Sequence, residues 1–419
     1  MIGLRGAIGK VLPPAGLPRM LAVQNALWGV GVGTFLAGSV VFYSVYVGLS
    51  PVRIGIGLSV AGAVAVVGSM PLGHLADVLG GRRAWALGSA ARAAAFAAYP
   101  LAHSFWPFLL LMVIQTATDT LSSSGRVVYT AAAITPENRV RVMAFSRAYL
   151  NVGWTVGAGL GAGALALDSR LGLLLLVFTA SGVSAVNAIC VTRMPAVAPA
   201  LAPDDPRPSP WTVLRDVPYA AGSAVYGFLW LHTILWNDVL PLWVITRTDV
   251  PKPVLGGLVA LNTVLAVAFQ VRATRGAGTM PGVIRLTRVA ALCAAVACPI
   301  AAATGTTHGW PTAALLFLAV LLFTATELGI SAGQWHIQVE IPPAAQRGVY
   351  TGLDRSMQGV TRMAGPAGLT LLVIGSGGWG WWVIGAAFVV CALAVRPVMA
   401  WIERTPRTAD RLAGRLGGV

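Results

Sequence analysis

The sequence predicts an all-α membrane protein of twelve transmembrane helices in two pseudo-symmetric six-helix bundles, and three observations predict it. Of the 419 residues, 56% are apolar and only 10% are charged, whereas a soluble globular chain carries about a quarter charged residues. Apolar runs of the ~20 residues needed to cross a bilayer recur along the chain. They are too long and continuous for barrel strands, which alternate over about ten residues, so backbone satisfaction in lipid demands helices. The third observation is an internal echo. The stretch from Arg139 to Gly157, RVRVMAFSRAYLNVGWTVG, returns from Arg347 to Gly365 as RGVYTGLDRSMQGVTRMAG. Arg139, Arg147 and Gly157 fall on Arg347, Arg355 and Gly365 at a displacement of 208 residues (347−139, 355−147, 365−157), half the chain.

The expected spans are 20–48, 53–73, 83–102, 105–132, 141–166 and 171–192, then 217–245, 254–272, 283–303, 311–336, 348–374 and 379–401. Between the two sets lies PAVAPALAPDDPRPSP (195–210), whose prolines and charges cannot continue a helix. The expected organisation is an N-terminal bundle (1–194), a cytoplasmic linker (195–216) and a C-terminal bundle (217–419).

A formal charge of +15 suggests nucleic acid in a soluble protein, but here the distribution between loops excludes that reading. Arg5, Lys10, Arg19, Arg82, Arg83, Arg139, Arg141, Arg193, Arg207, Arg215, Arg272, Arg275, Arg347 and Arg404 fall in the termini and alternate loops. The remaining loops offer only Arg53, Arg170, Arg247 and Lys252. The positive-inside rule then places both termini in the cytoplasm and requires an even number of spans. The expected location is a bacterial inner membrane. The basic, proline-broken first twenty residues read as a cytoplasmic lead-in, not a signal peptide. Cys190, Cys293, Cys298 and Cys391 lie in apolar runs without His or Asp at ligand spacing and read as inert thiols. No phosphate loop, metal cluster or nucleophile–base motif is present in the sequence, so neither an enzyme nor a cofactor is expected.

Gly73-His74-Leu75-Ala76-Asp77-Val78-Leu79-Gly80-Gly81-Arg82-Arg83 resembles the loop between helices two and three that marks the major facilitator superfamily. Val78 stands where that family usually carries Arg, and Gly81 displaces the basic pair by one residue. Pro136-Glu137-Asn138-Arg139, followed by Arg141 and Arg147, is similar to the family's connection between helices four and five. The resemblance implies alternating-access transport by two bundles around a central cavity. In such a loop Asp77 can accept from free amides at a neighbouring helix N-terminus, with Arg82 or Arg83 holding it at the cytoplasmic side. Gly73, Asp77, Gly80, Arg82, Arg83 and Arg139 are therefore expected to form a conformational latch. Within the superfamily the chain is most like the twelve-span drug:proton antiporters. Gly153, Gly157, Gly159, Gly161 and Gly163 crowd the fifth span, although Ala158 replaces the antiporters' proline and Gly-Pro occurs instead at Gly365-Pro366. Close helix packing explains these glycines equally well.

The displacement of 208 also pairs Asp119 with Glu327, Ser123 with Ser331, Arg126 with Gln334 and Thr130 with Gln338. Three- and four-residue spacing puts each set on one helix face, and the superfamily resemblance implies that the two faces meet across the cavity. Ionisable residues inside spans are functional suspects by default. Asp119 and Glu327 are the expected proton-coupling carboxylates, with Glu327 the more readily protonated because Gln334 replaces the arginine. A pair that only fixes helix packing is the structural alternative. Polar and aromatic stripes add Asn25 and Phe35 on span one and Tyr226, Trp230, Thr233 and Asn237 on span seven, with Asp238 beside them. Together with Ser123, Arg126, Ser331 and Gln334 these are the candidate substrate-binding residues; packing or interface anchoring is the alternative for the aromatics. The expected partners are a small-molecule substrate, protons and membrane lipid, and a monomer is expected. The leading function is proton-coupled efflux of an amphipathic or cationic drug-like molecule, a multidrug-resistance activity. Uptake or export of a nutrient or acidic metabolite through Arg126, and a non-transporting receptor or scaffold, are the alternatives.

Overall fold

The computed structural model describes residues 13–197, 209–251, 253–274 and 276–405. The chain divides into two compact units, Met1–Asp205 and Pro206–Val419. Unit 1 contains α1 (Leu17–Tyr46), α2 (Pro51–Leu79), α3 (Gly81–Ala98), α4 (Phe105–Ala133), α5 (Pro136–Leu165) and α6 (Arg170–Thr192). Unit 2 contains α7 (Val217–Arg247), α8 (Pro253–Ala273), α9 (Met280–Ala303), α10 (Trp310–Glu340), α11 (Arg347–Thr370) and α12 (Trp379–Arg404). Among the described residues there are no strands, and eight helices are long and apolar enough to cross a membrane. Most of the expected linker, 198–208, lies outside the described residues; its end, Pro210–Arg215, is a short 3-10 helix.

The helices of the two units pair in the same way. In unit 1, α1 packs on α5 and α6, α3 on α4 and α6, and α2 on α4. In unit 2, α7 packs on α11 and α12, α9 on α10 and α12, and α8 on α10, the same five pairings. One contact repeats at atomic detail. Arg139, in the first turn of α5, donates from Nη2 to the Ala131 carbonyl at 2.6 Å and from Nε to the Ile134 carbonyl at 2.9 Å. Arg347, in the first turn of α11, donates from Nε to the Val339 carbonyl at 3.0 Å, and 339 is 131 displaced by the same 208 residues. Each guanidinium satisfies main-chain oxygens that the preceding helix leaves free at its C-terminal end.

Two helix boundaries differ from the sequence reading. Helix α2 does not stop at 73 but runs to Leu79, so Gly73 and Asp77 lie on its last turns and the expected loop shrinks to Gly80. Nothing between Gly73 and Leu79 breaks a helix, whereas Gly80 has φ +80°, a backbone region that favours glycine. Helix α5 begins at Pro136 and not at 141, because proline lacks an N–H that the first turn would leave unbonded anyway.

The cores sit between these pairings. In unit 1 an aromatic cluster built from Phe35, Phe42, Tyr43, Phe96, Tyr99 and Phe108 joins α1, α3 and α4, with Phe35 edge-on to Phe96 at 4.8 Å. A second cluster at the opposite ends of these helices holds Leu21, Trp85, Tyr129, Val142 and Val191. The glycines of α5 settle one alternative left by the sequence: Gly153, Gly157 and Gly161 lie against the main chain of α1 at Ala26, Val30 and Thr34, while Gly159 and Gly163 face open space. Three of the five are therefore required by helix approach.

Candidate functional site

In unit 1 two arginines and an aspartate meet at Trp28. Asp119 of α4 pairs with Arg92 of α3, Nη1 to Oδ1 at 2.9 Å, and the Trp28 indole N–H donates to the same Oδ1 at 3.4 Å. The Arg92 guanidinium lies 5.8 Å from the Trp28 ring centroid and 5.4 Å from that of Phe96. Arg126 lies 5.2 Å from the Trp28 ring and donates from Nη1 to Asn25 Oδ1. Asn25 in turn donates to the Leu21 carbonyl at 2.8 Å, which fixes its side-chain oxygen toward Arg126. The ring is thus within cation–π range of two guanidiniums. Arg92 is 6% exposed and Asp119 39% exposed, so the pair is buried on its cationic side and wetted on its anionic side.

Sequence reasoning placed Asn25, Asp119 and Arg126 in one site, and the structure brings them together with Trp28. It assigned the partner differently: the residue paired with Asp119 across helices is Arg92, not Arg126 on the same helix. Arg92 was missed although a guanidinium in the middle of an apolar span is itself a signal. Ser123 is buried and donates to the Thr120 carbonyl at 3.1 Å, and Phe35 belongs to the aromatic core described above.

Unit 2 holds a second constellation. Helix α7 is interrupted at Trp230 and carries a π turn over Leu235–Val239; such breaks re-aim side chains and accompany functional sites. The Trp230 indole donates to Gln334 Oε1 at 3.0 Å, and Arg362 of α11 lies 4.9 Å from its ring. Gln334 Nε2 donates to Asp354 Oδ2 at 3.3 Å, joined there by Gln338 Nε2 at 2.6 Å and Gln358 Nε2 at 2.7 Å. Asp354 is completely buried. Asp354, which is not among the candidates read from the sequence, is held by these three amides. Arg362 and Gln358 were also missed, each being one polar residue in a helix read as a simple span.

The other candidates of unit 2 are spread out. Tyr226 is fully buried and bonds Thr287 of α9 at 2.7 Å. Thr233 is half-buried, and Asn237 donates to its carbonyl at 2.9 Å. Asn237 and Asp238 are exposed in the π turn. Asn237 lines a cavity of about 380 Å³ between α7 and α8, with Trp236, Leu240, Pro241, Leu255 and Val259. Ser331 donates to the Glu327 carbonyl at 2.6 Å and receives Gln270 Nε2 at 3.4 Å, and Glu327 itself is half-buried. His232 is buried with Nδ1 2.7 Å from the Leu229 carbonyl. Of the expected latch, Gly73 is buried, Asp77 and Gly80 are half-buried, and Arg83 is exposed. Arg82 donates to the Met194 carbonyl beyond α6 at 2.7 Å, and Arg139 caps α4. Among the described residues no group of three or more His, Cys, Asp or Glu could hold a metal ion.

The family model of the Major Facilitator Superfamily matches residues 21–366. Among curated proteins no match was found. Many solved structures share the fold, among them three transporters of different cargo. A bacterial homologue of the iron transporter ferroportin, in an outward-facing state, superposes with a TM-score of 0.72 at 14% identity, covering 93% of this chain and 100% of that one. The human organic anion transporter MFSD10 (TETRAN) gives 0.68 at 16% identity over 90% of this chain and 98% of its own. The proton:xylose symporter XylE, bound to 6-bromo-6-deoxy-D-glucose, gives 0.63 at 13% identity over 90% and 94%. With a family match across most of its length and transporters sharing its helical architecture, this multi-pass membrane protein belongs to the Major Facilitator Superfamily.

Proposed function

We propose that the chain is a proton-coupled secondary transporter whose twelve helices cross the membrane as two six-helix bundles and work by alternating access. Its cargo is an amphipathic small molecule bearing an acidic group. The observation that carries the choice of cargo is the pair of arginines at Trp28. Two guanidiniums and one carboxylate converge there. The constellation presents guanidinium donors, which suit a carboxylate, beside an aromatic face suited to an amphipathic solute. The organic anion transporter among the fold neighbours is consistent with such a cargo. Asp119, already compensated by Arg92, is the weaker of the two expected proton carriers, which assigns coupling to unit 2. The protein works as a monomer in a bacterial inner membrane with both termini cytoplasmic, and Asp77 with Arg82 and Arg83 serves as its cytoplasmic latch.

Efflux of an amphipathic cation, as in the drug:proton antiporters, is the second reading. It is favoured by the half-buried Glu327 and the exposed Asp238 of unit 2. Fluorescence anisotropy of two probes on the detergent-purified protein separates the readings. Arg126→Ala is expected to weaken binding of anionic 6-carboxyfluorescein by about tenfold or more, the loss of one hydrogen bond to a charged group. Ethidium binding should change little. Unchanged carboxyfluorescein affinity, or tight ethidium binding lost on Glu327→Gln, would transfer the assignment to the cationic reading.

A further inference from the structure

Asp354 is a feature of unit 2 that neither helix packing nor cargo recognition explains. Its side chain is fully buried. Three amide N–H groups converge on Oδ2, yet Oδ1, equally buried, has no hydrogen-bond partner. A structural carboxylate divides its donors between both oxygens, because a buried acceptor without a partner costs free energy. Here one oxygen is saturated and the other is left bare. That asymmetry matches a carboxyl group that is a fixed acceptor at one oxygen and carries an exchangeable proton at the other.

The connections of this carboxyl group are equally specific. Gln334 spans from Trp230, through Oε1, to Asp354, through Nε2. The same Trp230 ring carries Arg362 at 4.9 Å. A solute that engages Trp230 or Arg362 therefore pulls on the amide that holds Oδ2, and the state of the carboxyl group in turn sets where Gln334 can reach. Gln338 and Gln358 approach from α10 and α11 and keep the carboxyl group in place while Gln334 moves. Arg355 of α11 and Tyr226 of α7 interact with Asp354 electrostatically. The helices packed here carry further ionisable residues: Arg347, Tyr350 and Arg362 on α11, Tyr219 on α7, and Glu327, His336 and Glu340 on α10. Asp216, just before α7, and Tyr219 form a separate cluster with Tyr350.

We propose that Asp354, not Glu327, holds the coupled proton in unit 2, bound at Oδ1, and that Gln334 is the positioning residue linking that proton to the cargo. The inference rests on the proton-coupled reading above and refines it. Binding and release are simple: the O–H bond at Oδ1 forms when a proton arrives from water on one side and breaks when it leaves to the other.

Infrared difference spectra of the full-length protein in lipid vesicles, recorded as pH is stepped, test this without any cargo. A protonated-carboxyl C=O band that titrates is expected in the wild type, in Glu327→Gln and in Asp119→Asn, and is expected to vanish in Asp354→Asn. Should that variant not fold, Gln358→Leu and Gln338→Leu each remove one donor from Oδ2 and are expected to shift the band. A band that survives in folded Asp354→Asn, or that neither glutamine variant moves, overturns the proposal. So does a band abolished by sodium at constant pH, which would make the site a sodium site. In flux measurements with 6-carboxyfluorescein, one pH unit across the membrane drives about tenfold accumulation per coupled proton. Asp354→Asn and Gln334→Leu are expected to reduce the ratio of flux with and without the gradient to one. A wild type that moves no probe would defeat the transport reading while leaving the infrared result to decide on Asp354.

Discussion

Replacing Asp119 with leucine is expected to lower the melting temperature of the detergent-purified protein more than replacing Arg92 with leucine. Removing one partner of a buried ion pair costs about 3–5 kcal/mol because the other charge is stranded. The two partners here are unequally buried, Arg92 at 6% and Asp119 at 39% exposure. Loss of the carboxylate strands a guanidinium with no water to receive it, which approaches that full range. Loss of the arginine strands a carboxylate that water reaches, and the cost falls toward that of an exposed pair, about 1 kcal/mol or less. The double leucine variant should melt above the Asp119→Leu single variant, since neither charge is then left alone. Equal melting of both single variants would mean that the pair is no more than a wetted contact.

The second large effect separates the repeated glycines. Gly157→Ala is expected to destabilise the protein by about 1–3 kcal/mol, the cost of overpacking, whereas Gly365→Ala, its counterpart 208 residues later, is expected to be nearly neutral. A Cβ at Gly157 would collide with main-chain atoms of α1, the Val30 carbonyl oxygen and the Thr34 nitrogen, which cannot move without shifting the helix. At Gly365 the obstacle is Ile234 Cδ1, the far end of a flexible side chain. Thermal melting in one detergent compares them, and similar losses for both would refute the distinction.

These particulars show where sequence reading stops. Helical spacing put Asp119 and Arg126 on one face of their span, because spacing along one helix is fixed by its geometry. It could not say which residue of α3 meets α4. That register is set by close approaches such as Gly88 against Ser122, and it delivers Arg92 to Asp119. The repeat at 208 led to the expectation of two related halves, and Arg139 and Arg347 each reach back to a helix end. It paired Arg126 with Gln334 but could not foretell that Gln334 joins Trp230 to Asp354 in unit 2 while Trp28 meets Asp119 and Arg92 in unit 1, because such contacts depend on how neighbouring helices are registered. Asp354 lies two turns from the start of α11, and spacing along that helix does not show what packs on it. Only the arrival of glutamines from α10 shows that this part of the helix is enclosed.

Flux across vesicle membranes is the most direct test of the central claim, that a two-arginine, tryptophan-centred constellation makes this chain a carrier of acidic amphipaths. Vesicles with and without the purified protein would be loaded with 6-carboxyfluorescein or ethidium and followed with and without a pH gradient. The account predicts protein-dependent movement of 6-carboxyfluorescein that responds to the gradient and exceeds that of ethidium. Protein-dependent movement of ethidium alone, or of neither probe, would contradict it.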